Sequence, residues 1–222
     1  MAAGKSPEGQ PGAAHGTVAA DTALDQRTCE CCATGMTVTS NGPVIAYRDR
    51  SPDDIRDVVT VRRDTQGWSE PRLVRADGWK IDGCPVNGPQ TDAIGNNAVV
   101  AWFTAANEQQ RVYAAFSNDG GATFGEAIVI DDGKPLGRVD VVMIDQQTAV
   151  VSWLEQTTEG AEIRARRIAR QGKPGASVKI ADTITARTPG FARIARVGDE
   201  VWFSWTELSI ARKRVRVARG RI

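Results

Sequence analysis

Three acidic residues occupy the same position relative to a recurring aromatic residue. Asp49, Glu155 and Glu207 each stand two positions after an aromatic side chain, which is Tyr47, Trp153 or Trp205. If the three carboxylates face one pocket, the crowding of like charges raises the pKa of at least one of them, as acid–base chemistry requires. The alternative is that each carboxylate caps a strand end and pairs with a nearby arginine.

A densely charged stretch begins at the first of these aromatic residues. Residues 47–57 contain Arg48, Arg50 and Arg56 among several aspartates. A guanidinium group binds a carboxylate through two parallel hydrogen bonds, so these arginines favour an acidic sugar as ligand. A solvated loop crossed by salt bridges would have the same composition and is the alternative.

Three further binding candidates fall on the segments that join one repeat to the next. They are Trp79, Arg138 and Arg187. An exposed indole on such a segment could stack on a sugar ring, and the two arginines would add positive charge to the same face of the fold. The alternative for Trp79 is that it plugs the rim.

The four cysteines are concentrated in two places. Cys29, Cys31 and Cys32 open the first repeat, and Cys84 opens the second at the corresponding position, which predicts that all four lie close in space. An even number favours two disulfides in an oxidising compartment, with Cys31 or Cys32 bonded to Cys84 and the remaining pair closing a local loop. The alternative is a thiolate site for zinc or copper(I), assisted by Met36 or by His15.

An internal repeat positions these residues. Four segments end in a small residue followed by an aromatic one, and these aromatic anchors are 55, 51 and 52 residues apart, at Tyr47, Trp102, Trp153 and Trp205. A turn signal and another apolar run precede each anchor, so each unit is predicted to open with a β-hairpin. An alternating strand follows about a dozen residues later, and in three units a fourth strand comes after it.

Four antiparallel strands in each unit of about 50 residues predict an all-β fold, a β-propeller built from four-stranded blades. A β-sandwich with accidental internal similarity is the alternative. We expect residues 1–16 to be a loose lead-in and residues 17–222 to form one domain, with repeats at about 32–77, 84–132, 138–182 and 188–222. The fourth unit lacks its last strand, which residues 16–21 would supply by closing the ring.

One turn carries a more specific signal. Residues 117–124 fit the pattern S-x-D-x-G-x-T-W/F, which is fulfilled by Ser117, Asp119, Gly121, Thr123 and Phe124. The aspartate can accept hydrogen bonds from the backbone of its own turn, a glycine takes the positive-φ position, and the aromatic ring packs under the hairpin. This motif is structural. With it, residues 17–222 resemble the sialidase-like Asp-box superfamily of β-propellers, in particular its exported bacterial members.

The resemblance implies a six-bladed propeller whose active site lies on the face opposite the Asp boxes. It also implies three arginines for a sugar carboxylate, a Tyr/Glu nucleophile pair and an acid/base Asp, for which Tyr47, Glu155, Glu207 and Asp49 are the candidates. The chain contains four units, so it is either a fragment or a shortened form. Tyr47 is needed as a repeat anchor, and Tyr113 is expected to point into a layer between sheets. We therefore predict glycan binding with weak or absent hydrolysis, or else a non-catalytic scaffold for protein or metal binding.

Composition excludes several classes of partner. The 28 basic residues nearly cancel the 27 acidic ones, so no overall field attracts nucleic acid. The apolar runs are too short to span a bilayer. We expect no cofactor and no membrane insertion. The cysteines indicate a secreted or periplasmic location, with no signal peptide in the chain.

Overall fold

The described part of the chain is almost entirely β-strand. The computed structural model describes residues 21–186, 191–208 and 213–221. A 3-10 turn at Ala106–Glu108 is the one helical element among them. No described helix is long and apolar enough to cross a membrane. The prediction of an all-β fold is therefore confirmed.

The strands, numbered in chain order, form four antiparallel sheets. The first contains β1 (Gly35–Thr39), β2 (Gly42–Arg48), β3 (Val58–Asp64), β4 (Gly67–Trp68) and β5 (Arg72–Arg75), with β3 paired to both β4 and β5. The second contains β6 (Gln90–Ile94), β7 (Asn97–Thr104), β8 (Arg111–Ser117) and β9 (Ile128–Val129). The third contains β10 (Pro135–Met143), β11 (Thr148–Gln156), β12 (Ala161–Ala169) and β13 (Ser177–Thr183). The fourth contains β14 (Arg193–Val197), β15 (Glu200–Leu208) and β16 (Lys213–Gly220).

The four aromatic anchors occupy equivalent sites. Each lies near the end of the second strand of its sheet and pairs with a residue of the third strand; the pairs are Tyr47 with Val59, Trp102 with Tyr113, Trp153 with Arg164 and Trp205 with Arg216. The predicted repeat and its hairpins are therefore confirmed. Within the described residues, the fourth sheet also lacks a fourth strand, as predicted.

The hairpin between β1 and β2 shows how local sequence sets the sheet. The consecutive β-branched residues Thr37, Val38 and Thr39 of β1 favour an extended strand. Gly42 then begins β2 with φ of 133°. A side chain there would clash with the carbonyl oxygen of Arg63. Only glycine fits both the backbone angle and this close approach.

The hydrophobic core lies between consecutive sheets. Trp102 packs with Ala46 and Val58 of the first sheet, whereas Trp153 packs in the cluster shared by the second and third sheets. Trp205 packs against the clusters between the third and fourth sheets. Burial of a large apolar side chain contributes about 1.5–3 kcal/mol. Each of these three tryptophans thus holds its own sheet against the sheet before it.

The innermost strands of the sheets lie side by side. β6 contacts both β1 and β10, and β14 lies next to β10. The Arg193 side chain on β14 links three of these strands. It donates a hydrogen bond to the amide oxygen of Gln90 on β6, at 3.4 Å, and forms an ion pair with the Asp140 carboxylate on β10, at 3.3 Å. This arrangement of inner strands is what radial stacking of blades produces.

The predicted closing strand at residues 16–21 falls almost wholly outside the described residues. Residues 16–20 lie outside the described residues, as does the lead-in at 1–16. Asp21, the last residue of the predicted strand, is not in a strand. Apolar side chains of the last strand are exposed, notably Val215 and Val217.

Candidate functional site

The loops at one edge of the sheets surround a pocket of about 290 Å³, which we call the rim pocket. Its walls come from the loops after the second strand of a sheet and from the segments that join one sheet to the next. The turn 117–124 follows the third strand of its sheet, so it lies at the opposite edge. The rim pocket is lined by Trp79, Val86, Asn87, Phe103, Gln110, Leu136, Arg138 and Phe191, among others.

Three contacts fix the side chains that line the rim pocket. The rings of Trp79 and Phe103 meet edge to face, with centroids 5.6 Å apart. The Asn87 side chain accepts a hydrogen bond from the backbone N–H of Arg138 at 2.8 Å. Arg138 has φ of 55°, and its guanidinium group donates to the carbonyl oxygen of Ala186 at 2.7 Å. The pocket therefore has aromatic walls and one buried cation.

The three equivalent carboxylates do not line the rim pocket, and each is bound within its own sheet. The buried Glu155 carboxylate accepts hydrogen bonds from the Trp153 indole and the Lys134 backbone N–H, both at 2.6 Å. Asp49 accepts one from the backbone of Arg50. Glu207 forms an ion pair with Arg214, which is the paired arrangement that sequence reasoning kept as the alternative.

A hydrogen bond from Arg214 lowers the pKa of the Glu207 carboxyl group, whereas the pKa of Asp49 is raised. Burial raises the pKa of its carboxyl group, and the negative charge of Asp25 raises it further, while the hydrogen bond from the backbone of Arg50 opposes the shift. The Asp49 backbone pairs with Thr28 in an isolated bridge, so the residue joins the N-terminal segment to the first sheet.

Tyr47 is buried, and its hydroxyl donates to the Asp25 carboxylate at 2.6 Å. Burial, together with this hydrogen bond and the charge of Asp25, raises the pKa of the Tyr47 phenol. A nucleophilic tyrosine needs the opposite shift, because the phenolate is the reactive form. The environment of Tyr47 therefore suits a structural anchor.

The arginines of the charged stretch differ in their placement. Arg48 and Arg56 are only 1% and 2% exposed, so neither projects from the rim as the sequence suggested. Arg50 is half-exposed and forms ion pairs with Glu30 and Asp54, as expected for a loop crossed by salt bridges. Trp79 is also buried, which matches its reading as a plug. Arg187 lies outside the described residues.

Arg48 links the first two sheets. Its guanidinium group donates to the carbonyl oxygens of Asn87, Phe103 and Arg56, and it stacks 4.8 Å from the centre of the Trp79 ring. Burial lowers the pKa of Arg48. Sequence reasoning missed this role because a buried arginine that binds carbonyl oxygens looks, in a sequence, like any charged loop residue.

The four cysteines do come together. A disulfide joins Cys31 to Cys84, whose Cα atoms are 6.0 Å apart, so the predicted bridge between repeats is confirmed with Cys31 as the partner. The predicted second bridge was wrong, because Cys29 and Cys32 are free thiols. The Cys29 sulfur lies 3.8 Å from that of Cys31. The sulfurs of Cys29, Cys31 and Cys32 all lie within 4.8 Å of one another.

A second cavity, of about 280 Å³, opens onto this cluster; we call it the thiol cavity. Cys29 and Cys32 line it, together with Asp25, Tyr47 and Arg48. Burial and a hydrogen bond with Cys29 raise the pKa of the Cys32 thiol to about 11. At neutral pH, Cys32 is therefore a protonated thiol that solvent can reach.

The turn 117–124 has the hydrogen bonds that the motif predicts. The Asp119 carboxylate accepts from the backbone N–H groups of Ala122 and Thr123, at 3.0 and 2.9 Å, and from the hydroxyls of Ser117 and Thr123. Gly121 has φ of 80°. Phe124 packs against the cluster between the first and second sheets. The turn is a structural element at the edge of the sheet opposite the rim pocket.

Comparison with known proteins shows the fold. No protein-family model matches the chain, and no curated protein matches its sequence. Among solved structures, the Hadza microbial sialidase Hz136 is 16% identical, with a TM-score of 0.50 over 85% of this chain and 44% of that one. The GH43 BlXynB protein from Bacillus licheniformis is 9% identical, with a TM-score of 0.56 over 87% and 40%. A Bacteroides ovatus xyloglucan-locus GH43B protein is 12% identical, with a TM-score of 0.52 over 88% and 40%.

These similarities, together with the four consecutive sheets, show a partial β-propeller fold. The chain spans less than half the length of the three structures. The residues that line the rim pocket were largely missed by sequence reasoning. The available signal was their position, since Asn87 and Leu136 stand next to Gly or Pro where a new repeat begins.

Proposed function

We propose that this chain is the glycan-binding part of a glycosidase-like propeller, and that it binds an acidic sugar in the rim pocket without hydrolysing it. One observation carries the proposal: the pocket combines aromatic walls with the Arg138 cation, while no Asp or Glu of the described residues lines it. Hydrolysis of a glycosidic bond needs two carboxyl groups flanking that bond. Binding needs only apolar walls and a few polar groups.

The chemistry of the pocket favours a single acidic sugar unit. Its volume of about 290 Å³ lies at the small end of ligand pockets. The Phe103 and Phe191 rings offer apolar surface to the faces of a sugar, Gln110 offers an amide, and Arg138 offers a cation to a carboxylate.

Three finer assignments accompany this proposal. We assign the chain to the sialidase-like Asp-box propellers, and the hydrogen bonds on Asp119 support this assignment. We also infer that the protein is exported and that residues 17–222 form one domain. The Cys31–Cys84 disulfide supports export, because disulfides persist in oxidising compartments.

Binding of N-acetylneuraminic acid, measured by calorimetry beside galactose as a neutral control, tests the proposal. We expect the acidic sugar to bind and the neutral sugar to bind more weakly. Arg138→Gln should weaken binding of the acidic sugar by roughly tenfold, because a charge-assisted hydrogen bond contributes about 1.5–3 kcal/mol. Gln110→Ala, at an exposed lining position, should weaken it without affecting the fold.

The matched control is Arg72→Gln on the exposed strand β5, which should bind like the wild type. Equal binding of the acidic sugar by Arg138→Gln and wild type would contradict the assigned pocket. Turnover of a fluorogenic sialoside by the purified chain would contradict the non-hydrolytic part of the proposal.

A further inference from the structure

The cysteine cluster combines four features that the disulfide alone does not explain. Three cysteine sulfurs lie within 4.8 Å of one another and the fourth is bonded to one of them. Two of the four cysteines remain thiols, two buried arginines lie beside the cluster, and the thiol cavity gives access from solvent. A simple bridge between two sheets needs only two cysteines.

We propose that the four cysteines form a tetrathiolate site for one Zn²⁺ ion once the disulfide between Cys31 and Cys84 is reduced. The oxidised protein then has a bridge between the first and second sheets, and the reduced protein has a metal ion that joins the same two sheets. The proposal is independent of sugar binding in the rim pocket.

The spacing of the sulfurs fits this metal ion. With Zn–S bonds of about 2.3 Å, the corners of a tetrahedron are about 3.8 Å apart. The sulfurs of Cys29 and Cys31 are separated by 3.8 Å. Cys32 lies within 4.8 Å of both, and Cys84 adjoins Cys31. Small side-chain rotations after reduction would bring the four sulfurs to the corners.

The positive charges around the cluster also favour an anionic metal centre. A tetrathiolate zinc centre has a net charge of −2, since four thiolates surround one divalent cation. Arg48 and Arg56 are buried, and Nη1 of Arg56 lies 3.4 Å from the Cys29 sulfur. Among the described residues, the one carboxylate that forms an ion pair with either arginine is the exposed Glu30, at 3.5 Å from Arg56.

Buried cations without close anions are costly, so an anionic centre between them is stabilising. Arg48 has only carbonyl oxygens as hydrogen-bond acceptors, and Nε of Arg56 is buried with no hydrogen-bond partner. The buried Asp57 and Asp77 attract Arg48 from a longer distance. Two guanidinium charges match the −2 charge of the proposed centre.

The two backbone segments that carry the cysteines approach each other closely. A side chain at position 88 would clash with the backbone of Ala33, so Gly88 allows the two cysteine-bearing segments to approach each other. Because these segments belong to different sheets, ligands from both would give the metal ion a role in holding the sheets together.

A phosphine reductant gives two electrons to the Cys31–Cys84 bond and takes an oxygen atom from water, whose two protons go to the sulfurs. Binding of Zn²⁺ to the four thiols then releases four protons, because the thiolate is the ligand form.

The test uses the full chain, reduced with a phosphine, desalted without oxygen and titrated with Co²⁺ and then Zn²⁺. We expect one equivalent of Co²⁺ to give the strong visible absorption of a tetrahedral thiolate site, and Zn²⁺ to displace it. The oxidised protein should give no such absorption. Cys29→Ser and Cys84→Ser should each weaken binding by more than the roughly 10–100-fold that loss of an outer partner costs.

Two further variants separate ligands from neighbours. Arg56→Gln should weaken binding by roughly tenfold, as loss of an outer partner does. Glu30→Gln should leave binding nearly unchanged, because its carboxylate is not a ligand in the proposal. Circular dichroism of each reduced variant shows whether it is folded, and the comparison is made only between folded variants.

Three results would overturn the proposal. The first is equal metal binding by the reduced and oxidised proteins. The second is full affinity for Zn²⁺ in Cys84→Ser. The third is a site that takes Cu⁺ but neither Zn²⁺ nor Co²⁺, which would indicate a site of fewer thiolates.

Discussion

Arg48 donates two hydrogen bonds to the carbonyl oxygen of Asn87, one from Nε at 3.1 Å and one from Nη2 at 2.9 Å. Arg48 ends β2 of the first sheet, and Asn87 stands on the segment that enters the second. The same guanidinium group reaches the carbonyl oxygen of Phe103 on β7 at 2.6 Å. One buried cation therefore satisfies backbone groups from two neighbouring sheets.

Arg48→Met should destabilise the protein strongly. The substitution keeps much of the side-chain volume but leaves three buried carbonyl oxygens without their donor, and each costs about 1–3 kcal/mol. We expect a loss of about 3–5 kcal/mol in the free energy of unfolding, measured by urea denaturation. The control is Arg72→Met at an exposed position, which should change little. A loss below about 1 kcal/mol would show that water replaces the arginine.

Local pattern predicted the strands, hairpins and anchors because each depends on residues near in sequence. The apolar run Ala98 to Phe103, which contains Trp102, for example, lies in a single segment of chain. Arg48 and Arg56 escaped sequence reasoning because their burial depends on segments some 30–50 residues away, such as the one that contains Asn87. Sequence reasoning also left open whether Cys31 or Cys32 is the partner of Cys84. That choice depends on the direction of the side chains in one short loop, which the sequence does not show.

Cys84→Ser should lower the stability of the oxidised protein. The bridge joins residues 53 positions apart, and such a link stabilises by about 2–4 kcal/mol, chiefly by restricting the unfolded chain. We expect a loss of this size in urea denaturation without reductant. Cys32→Ser, which removes a free thiol, is the control and should cost less. If wild type and Cys84→Ser unfold alike before reduction, the bridge does not form in solution.

Asp119→Asn should destabilise the turn 117–124 in a pH-dependent way. Although burial opposes it, the hydrogen bonds from Thr123, Ser117 and Ala122 hold the pKa of Asp119 below its usual value. Its stabilising effect is therefore fully present above the unfolded pKa of about 3.9 and is lost as the pH falls through the lower folded pKa. We expect a loss of about 1–3 kcal/mol at pH 7.

The difference between wild type and Asp119→Asn should shrink as the pH falls from about 4 toward 2. Thermal unfolding over this range measures it. Asp53→Asn, at an exposed position, is the control and should show no such trend. A difference in stability that stays constant across this pH range would mean that the shape of the Asp119 side chain, and not its charge, stabilises the turn.

Glu155→Gln should affect stability and leave sugar binding unchanged. One carboxylate oxygen accepts a hydrogen bond from the Trp153 indole and the other accepts one from the Lys134 backbone. In the glutamine variant, the amide NH₂ group would face one of these N–H donors, and that hydrogen bond would be lost. We expect a loss of about 1–3 kcal/mol in the free energy of unfolding. Affinity for N-acetylneuraminic acid should stay within experimental error, since Glu155 does not line the rim pocket. A large loss of affinity for N-acetylneuraminic acid in a folded variant would show that Glu155 takes part in sugar binding.

Tyr47→Phe should lower stability modestly, and the effect should disappear in strong alkali. The raised pKa of Tyr47 means that the folded state holds the phenolic proton more tightly than the unfolded chain, whose tyrosines ionise near pH 10. The stabilisation is therefore fully present below about pH 10 and is lost as the pH rises through the folded pKa. Below pH 10, we expect a loss of about 0.5–1.5 kcal/mol from the missing hydrogen bond to Asp25.

The pH dependence of unfolding separates this account from a catalytic one. Wild type should lose stability more steeply above about pH 10 than Tyr47→Phe does, and Tyr113→Phe, which keeps Tyr47, should follow the wild type. Phenolate absorbance of native Tyr113→Phe should stay absent until well above pH 10, since Tyr47 is its only tyrosine. Phenolate in that variant below about pH 9 would mean that Tyr47 is activated, and Tyr47 would then become a candidate nucleophile.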